Sequence, residues 1–313
     1  MKFEKAFFNE YGRLRSGWRF GFFLALCFLI GFPLQILTDS ILLALPVGYS
    51  DQGILHLVIP SAVSLAVVVL AGWFCGKFFE DLPFRALGLW FTKKWFVDLL
   101  SGLVVGALTV SLAVLIPVIF GGLRFQLNES AGQSAVILTL GTSFLIFLTG
   151  AAWEEALFRG YMLQTFTRSG LGWFAIILTS VFFGAVHLGN PAAGLLSTVN
   201  TILAGVWFSA AYLKTRTLWF PIGLHFIWNW MMGAFYGIEV SGITNLTTAP
   251  LFREIDRGPF WLTGADYGLE GGSAATLALA LSTLLIWFLP IFRPTEEMLS
   301  LTDREKPKTP EQI

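Results

Sequence analysis

Two adjacent glutamates and an arginine interrupt an apolar segment, in the sequence WEEALFR at 153–159. Ionisable side chains are costly inside a membrane, so those found in long apolar segments are candidates for function. On a helix, Glu155 and Arg159 share a face four residues apart, with the glutamate first, which is the favourable order for an ion pair. Glu154 points about 100° away, where its own helix offers no cation. We therefore predict that Glu154 is a free carboxylate and candidate general base, supported structurally by Glu155 and Arg159.

Two histidines and an asparagine stand in other apolar segments. His225 and Asn229 are four residues apart in HFIWN, so on a helix they present two hydrogen-bond donors on one face. Such a pair could stabilise the oxyanion that forms when water attacks a carbonyl, where one donor contributes about 3–4 kcal/mol. His187 could hold this water or help Glu154 to deprotonate it. The residue types thus predict acyl hydrolysis by an activated water, with no covalent intermediate and no cofactor.

These residues resemble the motifs of the CPBP family of intramembrane glutamic endopeptidases, which includes type II CAAX prenyl endopeptidases, bacteriocin-processing proteins and ABI-like immunity proteins. The family patterns EExxxR, FxxxH and HxxxN match, in order, Glu154, Glu155, Arg159, Phe183, His187, His225 and Asn229. The resemblance covers a core of about 134–237. It implies an eight-helix membrane fold, water activation by the first glutamate with the first histidine, and an oxyanion site at the last motif. It also implies a membrane-embedded or lipidated peptide substrate.

The composition agrees with a protein whose solvent is lipid. Apolar residues make up 55% of the chain and charged residues 13%, and the mean hydropathy is +0.71. Soluble proteins carry about 25% charged residues, so a cytosolic enzyme and a disordered chain are excluded. The 20 basic and 20 acidic residues give no net charge that would attract nucleic acid. We predict an all-α polytopic protein in contact with membrane lipids.

A transmembrane helix needs about 20 apolar residues. Eight stretches approach or exceed this length, at about 18–45, 54–76, 97–120, 134–158, 171–189, 192–213, 217–237 and 273–292. Side chains from three helices can react together only at one depth in the membrane. At about 1.5 Å per residue, Glu154 reaches the level of His187 and Asn229 only if the fourth helix continues past Arg159 to about Arg168. We therefore expect a fourth helix that is unusually long, tilted or broken.

The basic residues predict the orientation of the chain. Seventeen of the 20 lysines and arginines fall on one side of an eight-span arrangement, which predicts that both termini are in the cytoplasm. We expect an integral protein of the plasma (inner) membrane. The predicted parts are a cytoplasmic N-terminal segment 1–17, a membrane domain 18–293, an extracytoplasmic loop 238–272 within it, and a disordered cytoplasmic tail 294–313. The glycine-rich loop carries Phe260 and Trp261, which could rest at the membrane interface or cover a cavity mouth.

Other proteases fit the sequence less well. A zinc-dependent enzyme would need Glu154, His187 and His225 as ligands, and the chain has no HExxH helix. A serine protease could draw only on Ser197 or Ser209, and it would leave the glutamate pair unexplained. Aspartates occur at helix ends or in loops, so an aspartyl pair within the membrane is not indicated.

A non-catalytic role stays open: a channel or carrier that relays protons, a membrane scaffold, or an immunity-type protein. A relay would place acids and bases at several depths, whereas a hydrolase needs one cluster beside a cavity. A scaffold would tolerate Glu154→Gln. The remaining histidine, His56, has no ordered partner in the sequence and is predicted to be structural. The sequence does not indicate the oligomeric state.

Overall fold

A helix occupies each of the eight apolar stretches. The computed structural model describes residues 4–45, 49–244 and 246–303, without the side chains of 49–53. The helices are α1 (Ser16–Ala44), α2 (Tyr49–Glu80), α3 (Trp95–Ile119), α4 (Gln133–Arg168), α5 (Gly172–Val186), α6 (Leu195–Thr215), α7 (Trp219–Trp230) and α8 (Ser273–Phe288). In the described residues, six helices, α1 to α6, are long and apolar enough to cross a membrane, and α7 and α8 are shorter. The predicted polytopic all-α membrane fold is confirmed.

Helix α4 has the length that the depth argument requires. It runs for 36 residues from Gln133 to Arg168 and contains a π-helical stretch, Ala156–Met162, directly after the two glutamates. Within this stretch Gly160 leaves helical geometry, with ψ of −127°. Turns of this kind inside α-helices are frequent at functional sites, because the extra residue redirects the side chains around it. Arg159 is therefore fully buried within the helix bundle and does not belong to a loop.

Glycines allow α3 to pack closely against α7, the helix that carries His225 and Asn229. A Cβ atom on Gly102 would lie 2.3 Å from the carbonyl oxygen of Phe220, and one on Gly106 would lie 2.4 Å from Cγ2 of Ile227. The two glycines form a GxxxG pattern, which brings helix backbones together in membranes. The position of α7 is thus fixed by backbone contact with α3.

A buried ionic cluster joins the ends of three helices. Glu80 at the end of α2 accepts hydrogen bonds from Arg19 of α1 (Nη1–Oε1, 2.9 Å) and from Arg168 of α4 (Nη2–Oε2, 2.8 Å). All three side chains are buried. The start of α1 and the ends of α2 and α4 therefore lie on the same side of the bundle.

A small antiparallel sheet, which the sequence did not predict, lies on the other side. Strand β1 (Leu123–Leu127) follows α3 and pairs with β2 (Phe252–Asp256), with Leu123 opposite Asp256 and Leu127 opposite Phe252. This pairing fixes the 238–272 segment to the α3–α4 connection. Close backbone approaches also shape the segment: a Cβ atom on Gly242 (φ +75°) would lie 2.0 Å from the carbonyl oxygen of Pro191.

The prediction of a disordered tail over 294–313 is wrong for its first part. A short helix, Glu296–Thr302, begins there, capped by the side chain of Thr295, and Met298 is fully buried. Glu297 forms an ion pair with Arg85 at 3.1 Å, on the same side as the Glu80 cluster. The burial of the apolar Met298 side chain holds this helix in place, although most of the segment is polar. Residues 304–313 of the predicted tail and 1–3 of the predicted N-terminal segment lie outside the described residues.

Candidate active site

The four residues predicted to be catalytic line one cavity of about 390 Å³. Glu154 comes from α4, His187 from the turn that ends α5, and His225 and Asn229 from α7. Side chains of α2 and α6 and of the 238–272 segment complete the wall. The volume falls within the range of ligand pockets, about 300–1,000 Å³. The structure therefore brings together the residues that three separate motifs identified.

Glu155, Arg159 and His225 form a buried cluster behind the cavity. Oε1 of Glu155 accepts from Nη1 of Arg159 at 3.0 Å and from Nδ1 of His225 at 2.9 Å. Arg159 also donates through Nη2 to the carbonyl oxygen of Gly205 on α6, at 3.0 Å. The side chains of Glu155 and Arg159 have no exposed surface. The Glu155–Arg159 pair expected from the spacing is present, and it also anchors the imidazole of α7.

Aromatic rings enclose this cluster. Cζ of Arg159 lies 4.7 Å from the ring centroid of Phe183 and 5.0 Å from that of Phe208, which are distances of cation–π contacts. The imidazole of His225 stacks on Phe208 at 4.6 Å, and that of His187 lies 4.6 Å from the Phe183 ring. Phe183 of the FxxxH motif therefore packs against both histidine rings and Arg159, and this packing holds α5 against α4.

Glu154 has different surroundings from its neighbour. Its side chain is 22% exposed, and its Oε2 atom is buried without a hydrogen-bond partner among the described residues. The nearest basic atom is Nε2 of His225, at 3.9 Å, which is too long for a direct hydrogen bond. The side chain of Glu154 thus lines the cavity with hydrogen-bonding capacity that the described residues do not use.

His187 lies at the end of α5, which is helical to Val186 and continues as a single 3₁₀ turn, His187–Gly189. Its Nδ1 atom is 2.7 Å from the carbonyl oxygen of Phe183. A carbonyl oxygen only accepts, so Nδ1 carries the proton of this bond. In the neutral imidazole, Nε2 then carries a lone pair, which can accept a proton.

The hydrogen bond at Nδ1 of His225 likewise determines what its other ring nitrogen, Nε2, can do. Its Nδ1 atom donates to the Glu155 carboxylate, so Nε2 is an acceptor when the ring is neutral and a donor when the ring is protonated. Nε2 points towards Glu154 and the cavity. A donor role for His225 therefore requires the imidazolium, whose charge would be balanced by the two carboxylates beside it.

Several cavity residues escaped the sequence reasoning. Glu270 and Ser241 of the 238–272 segment line the cavity, as do Asn190, Asn200 and Thr201. The loop was recognised as one that could cover a cavity, but no helical spacing rule connects Ser241 or Glu270 to the three motifs, because both residues lie in a loop and not on a motif-bearing helix. Only the polar character of the segment could have indicated it.

The serines of the competing serine-protease hypothesis lie outside the cavity lining. Ser197 bonds to the backbone of Gly194, and Ser209 donates to the carbonyl oxygen of Gly205 at 2.7 Å. Neither serine lines the cavity. Within the described residues, no group of three or more His, Cys, Asp or Glu side chains could hold a metal ion. His56 lies on α2 outside the cavity lining, and both cysteines are free thiols.

Comparison with known proteins agrees with the motif resemblance. Residues 134–231 match the family described as Type II CAAX prenyl endopeptidase Rce1-like, a span that covers nearly all of α4 to α7 and the four cavity residues. An uncharacterized 24.3 kDa protein of Escherichia coli is 31% identical over 135 residues, which are 42% of this chain and 58% of that protein. The chain thus spans little more than half the length of this relative. The resemblance to the CAAX endopeptidase family is confirmed, and the 238–272 segment lies outside the matched residues.

Proposed function

We propose that the protein is an intramembrane endopeptidase that hydrolyses a peptide bond in a membrane-associated or lipidated substrate. The observation that carries this proposal is the placement of Glu154, His187, His225 and Asn229 around one cavity, with a buried oxygen of Glu154 that has no protein partner among the described residues. The Rce1-like match supports an endopeptidase of the CAAX type at the level of the family.

In the first step, a water molecule between Glu154 and His187 loses a proton as it attacks the carbonyl carbon of the scissile bond. Glu154 is the candidate acceptor, because its side chain lines the cavity and its Oε2 has no hydrogen-bond partner among the residues that the structure describes. His187 can hold the same water through the lone pair of Nε2, since its Nδ1 is engaged by the Phe183 carbonyl. Correctly placed acid–base groups of this kind contribute about 10²–10⁴ in rate.

In the second step, the tetrahedral oxyanion accepts hydrogen bonds from Nε2 of His225 and the side-chain amide of Asn229. The imidazolium form that this needs is compatible with its surroundings. Glu154 has accepted the proton at this stage, so the negative charges of Glu155 and the oxyanion balance the positive charges of Arg159 and His225. The proton taken from water passes to the leaving nitrogen as the carbon–nitrogen bond breaks. The products are a new carboxyl terminus and a new amino terminus.

The position of the cavity fits a substrate that reaches it from lipid. Its wall includes Leu57 of α2 and Ile146 of α4, which belong to helices that can cross the membrane. We place the protein in the plasma membrane with both termini in the cytoplasm, because the basic residues are concentrated on that side. A cleavage assay determines which bond is cut and whether the substrate must be prenylated.

The test uses the full chain reconstituted in lipid nanodiscs and a set of acylated or prenylated peptides. We expect cleavage by the wild type and a loss of about 10³-fold or more in Glu154→Gln and His187→Ala. Glu129→Gln and His56→Ala serve as matched controls, since neither residue lines the cavity. Full activity of correctly folded Glu154→Gln would remove the proposed mechanism.

The same preparation separates the alternatives. Treatment with a metal chelator should leave the cleavage rate unchanged, whereas loss that is restored by Zn²⁺ would favour the zinc-dependent protease. A folded wild type that cleaves no peptide, together with unchanged biological function of Glu154→Gln, would favour the scaffold or immunity-type protein.

A further inference from the structure

The cavity contains a second carboxylate, which none of the family motifs includes. Glu270 lies in the 238–272 segment and lines the same cavity as Glu154. It is located after the last residue that matches the Rce1-like family. The proposed hydrolysis gives this side chain no role, so its presence in the substrate-binding space needs a separate account.

The carboxylate of Glu270 is held by two neutral donors. Oε1 accepts from Nε1 of Trp228 at 2.9 Å, and Oε2 accepts from Oγ of Ser241 at 2.6 Å. An indole N–H can only donate, and 2.6 Å is the length expected of an O–H···O⁻ bond. The carboxyl group of Glu270 is thus the acceptor in both bonds. In the part of the chain that the structure describes, no lysine, arginine or histidine forms an ion pair with Glu270.

Backbone contacts fix the carboxylate in the cavity wall. Nδ2 of Asn200 on α6 donates to the carbonyl oxygens of Glu270 (2.8 Å) and Gly272 (2.9 Å). Nδ2 of Asn190 donates to the carbonyl oxygen of Ser241 at 3.2 Å. The acceptor is thus positioned before any substrate binds, so little conformational entropy is lost when it binds one.

The surroundings of Glu270 combine this charge with apolar surface. Ala204, Leu246 and Leu279 line the same cavity. A lysine or arginine side chain has the complementary form, with an aliphatic stem and a cationic end. Glu155, which is buried behind the cavity, already has Arg159 as its partner, so it does not compete for such a cation.

We propose that Glu270 determines substrate specificity, by binding a basic side chain of the peptide close to the scissile bond. This inference rests on the proposed endopeptidase function for its biological meaning, but the binding of a basic side chain can be measured without cleavage. The 238–272 segment would then act as the wall that selects the substrate, while α4, α5 and α7 provide the hydrolytic groups.

The binding experiment uses Glu154→Gln in nanodiscs, so that cleavage does not intervene. The probes are acylated apolar peptides that carry one lysine, moved along the sequence, and matched peptides with acetyl-lysine at the same position. At one or two positions we expect the lysine peptide to bind about tenfold more tightly. The ratio should fall to about one in Glu154→Gln/Glu270→Gln. It should persist in Glu154→Gln/Glu239→Gln, because Glu239 does not line the cavity.

Equal affinity of the two peptides for Glu154→Gln at every position would overturn the inference, as would a lysine preference that survives Glu270→Gln. Glutamine keeps an acceptor for Trp228, so this variant is expected to fold; the melting temperature checks it. As a single substitution, with Glu154 intact, Glu270→Gln should reduce kcat/KM for the lysine peptide and leave kcat/KM for the acetyl-lysine peptide unchanged. Absence of wild-type cleavage with the lysine preference intact would contradict the proposed function and leave the specificity assignment standing.

Discussion

Glu154 and Glu155 are neighbours in the sequence but have opposite environments. Glu155 is fully buried and accepts hydrogen bonds from Arg159 and His225, whereas Glu154 faces the cavity with one oxygen that has no partner among the described residues. The spacing of four residues was enough to predict the Glu155–Arg159 pair. The bond from His225 could not be predicted, because it joins residues 70 positions apart and depends on how α7 packs.

This difference predicts that the same substitution, glutamate to glutamine, affects stability at Glu155 but not at Glu154. Glu155→Gln leaves Arg159 and His225 without their buried anion, so we expect the free energy of unfolding to fall by about 3 kcal/mol. Glu154→Gln should leave stability nearly unchanged, because Oε2 of Glu154 has no hydrogen-bond partner within the described part of the chain. Thermal unfolding in one detergent, followed by circular dichroism, measures both. Equal stability of Glu155→Gln and the wild type would show that the cluster does not have the energetic role assigned to it.

At the scale of elements, the apolar stretches predicted the eight helices, and the depth argument predicted that α4 continues to Arg168. The β1–β2 sheet and the helix Glu296–Thr302 were not predicted. Strand pairing between residues more than 120 positions apart leaves no local pattern, and the burial of Met298 depends on a neighbouring connection. Local periodicity therefore identified the helices, and tertiary contacts determined the rest.

The packing of α3 on α7 predicts a strong effect of a small substitution on α3, a helix that contributes no residue to the cavity lining. In Gly106→Ala the added Cβ would meet Ile227 at 2.4 Å and the Leu224 carbonyl oxygen at 2.8 Å. Relief of this overlap moves α7, so we expect a loss of about 2 kcal/mol of stability and reduced cleavage. Gly141→Ala on α4 is the matched control, because nothing lies within 4 Å of its Cβ. Indistinguishable melting temperatures for the two variants would argue against close α3–α7 contact.

The stability of the β1–β2 sheet should depend on pH. Burial, and then the nearby Glu239 and Asp256 carboxylates, raise the pKa of Glu254 from 4.5 to about 8. The folded segment therefore retains this proton to higher pH than the unfolded chain. Stability from this group is complete below pH 4.5 and is lost as the pH rises through about 8. Amide hydrogen exchange, corrected for its intrinsic pH dependence, should show weaker protection of β1 and β2 at pH 9 than at pH 6. Glu254→Gln should flatten this dependence, and an unchanged profile in that variant would contradict it.

At the scale of the whole molecule, the structure arranges the connections on two alternating sides. The Glu80 cluster joins the start of α1 with the ends of α2 and α4, and the Arg85–Glu297 pair lies with it. The β1–β2 sheet joins the α3–α4 and α7–α8 connections on the other side. The alternation follows from these contacts, whereas the identity of the cytoplasmic side is a prediction from the basic residues.

Cysteine labelling in intact cells tests this orientation. After Cys27 and Cys75 are replaced by alanine, a cysteine at Arg257 should react with a membrane-impermeant maleimide from outside the cell. A cysteine at Asp81, which is also at a connection, should react only after the membrane is permeabilised. Reversal of the two patterns would mean that the termini are extracytoplasmic and that the positive-inside argument fails for this protein.

The account depends most on water as the attacking group, activated by Glu154. A single turnover in oxygen-18 water with excess enzyme, analysed by mass spectrometry of both the product and the Glu154 peptide, tests this directly. We predict one heavy oxygen in the new carboxyl terminus of the product and none in the Glu154 carboxyl group. Heavy oxygen in Glu154, with an unlabelled product, would show that this residue attacks the substrate itself and would contradict the mechanism.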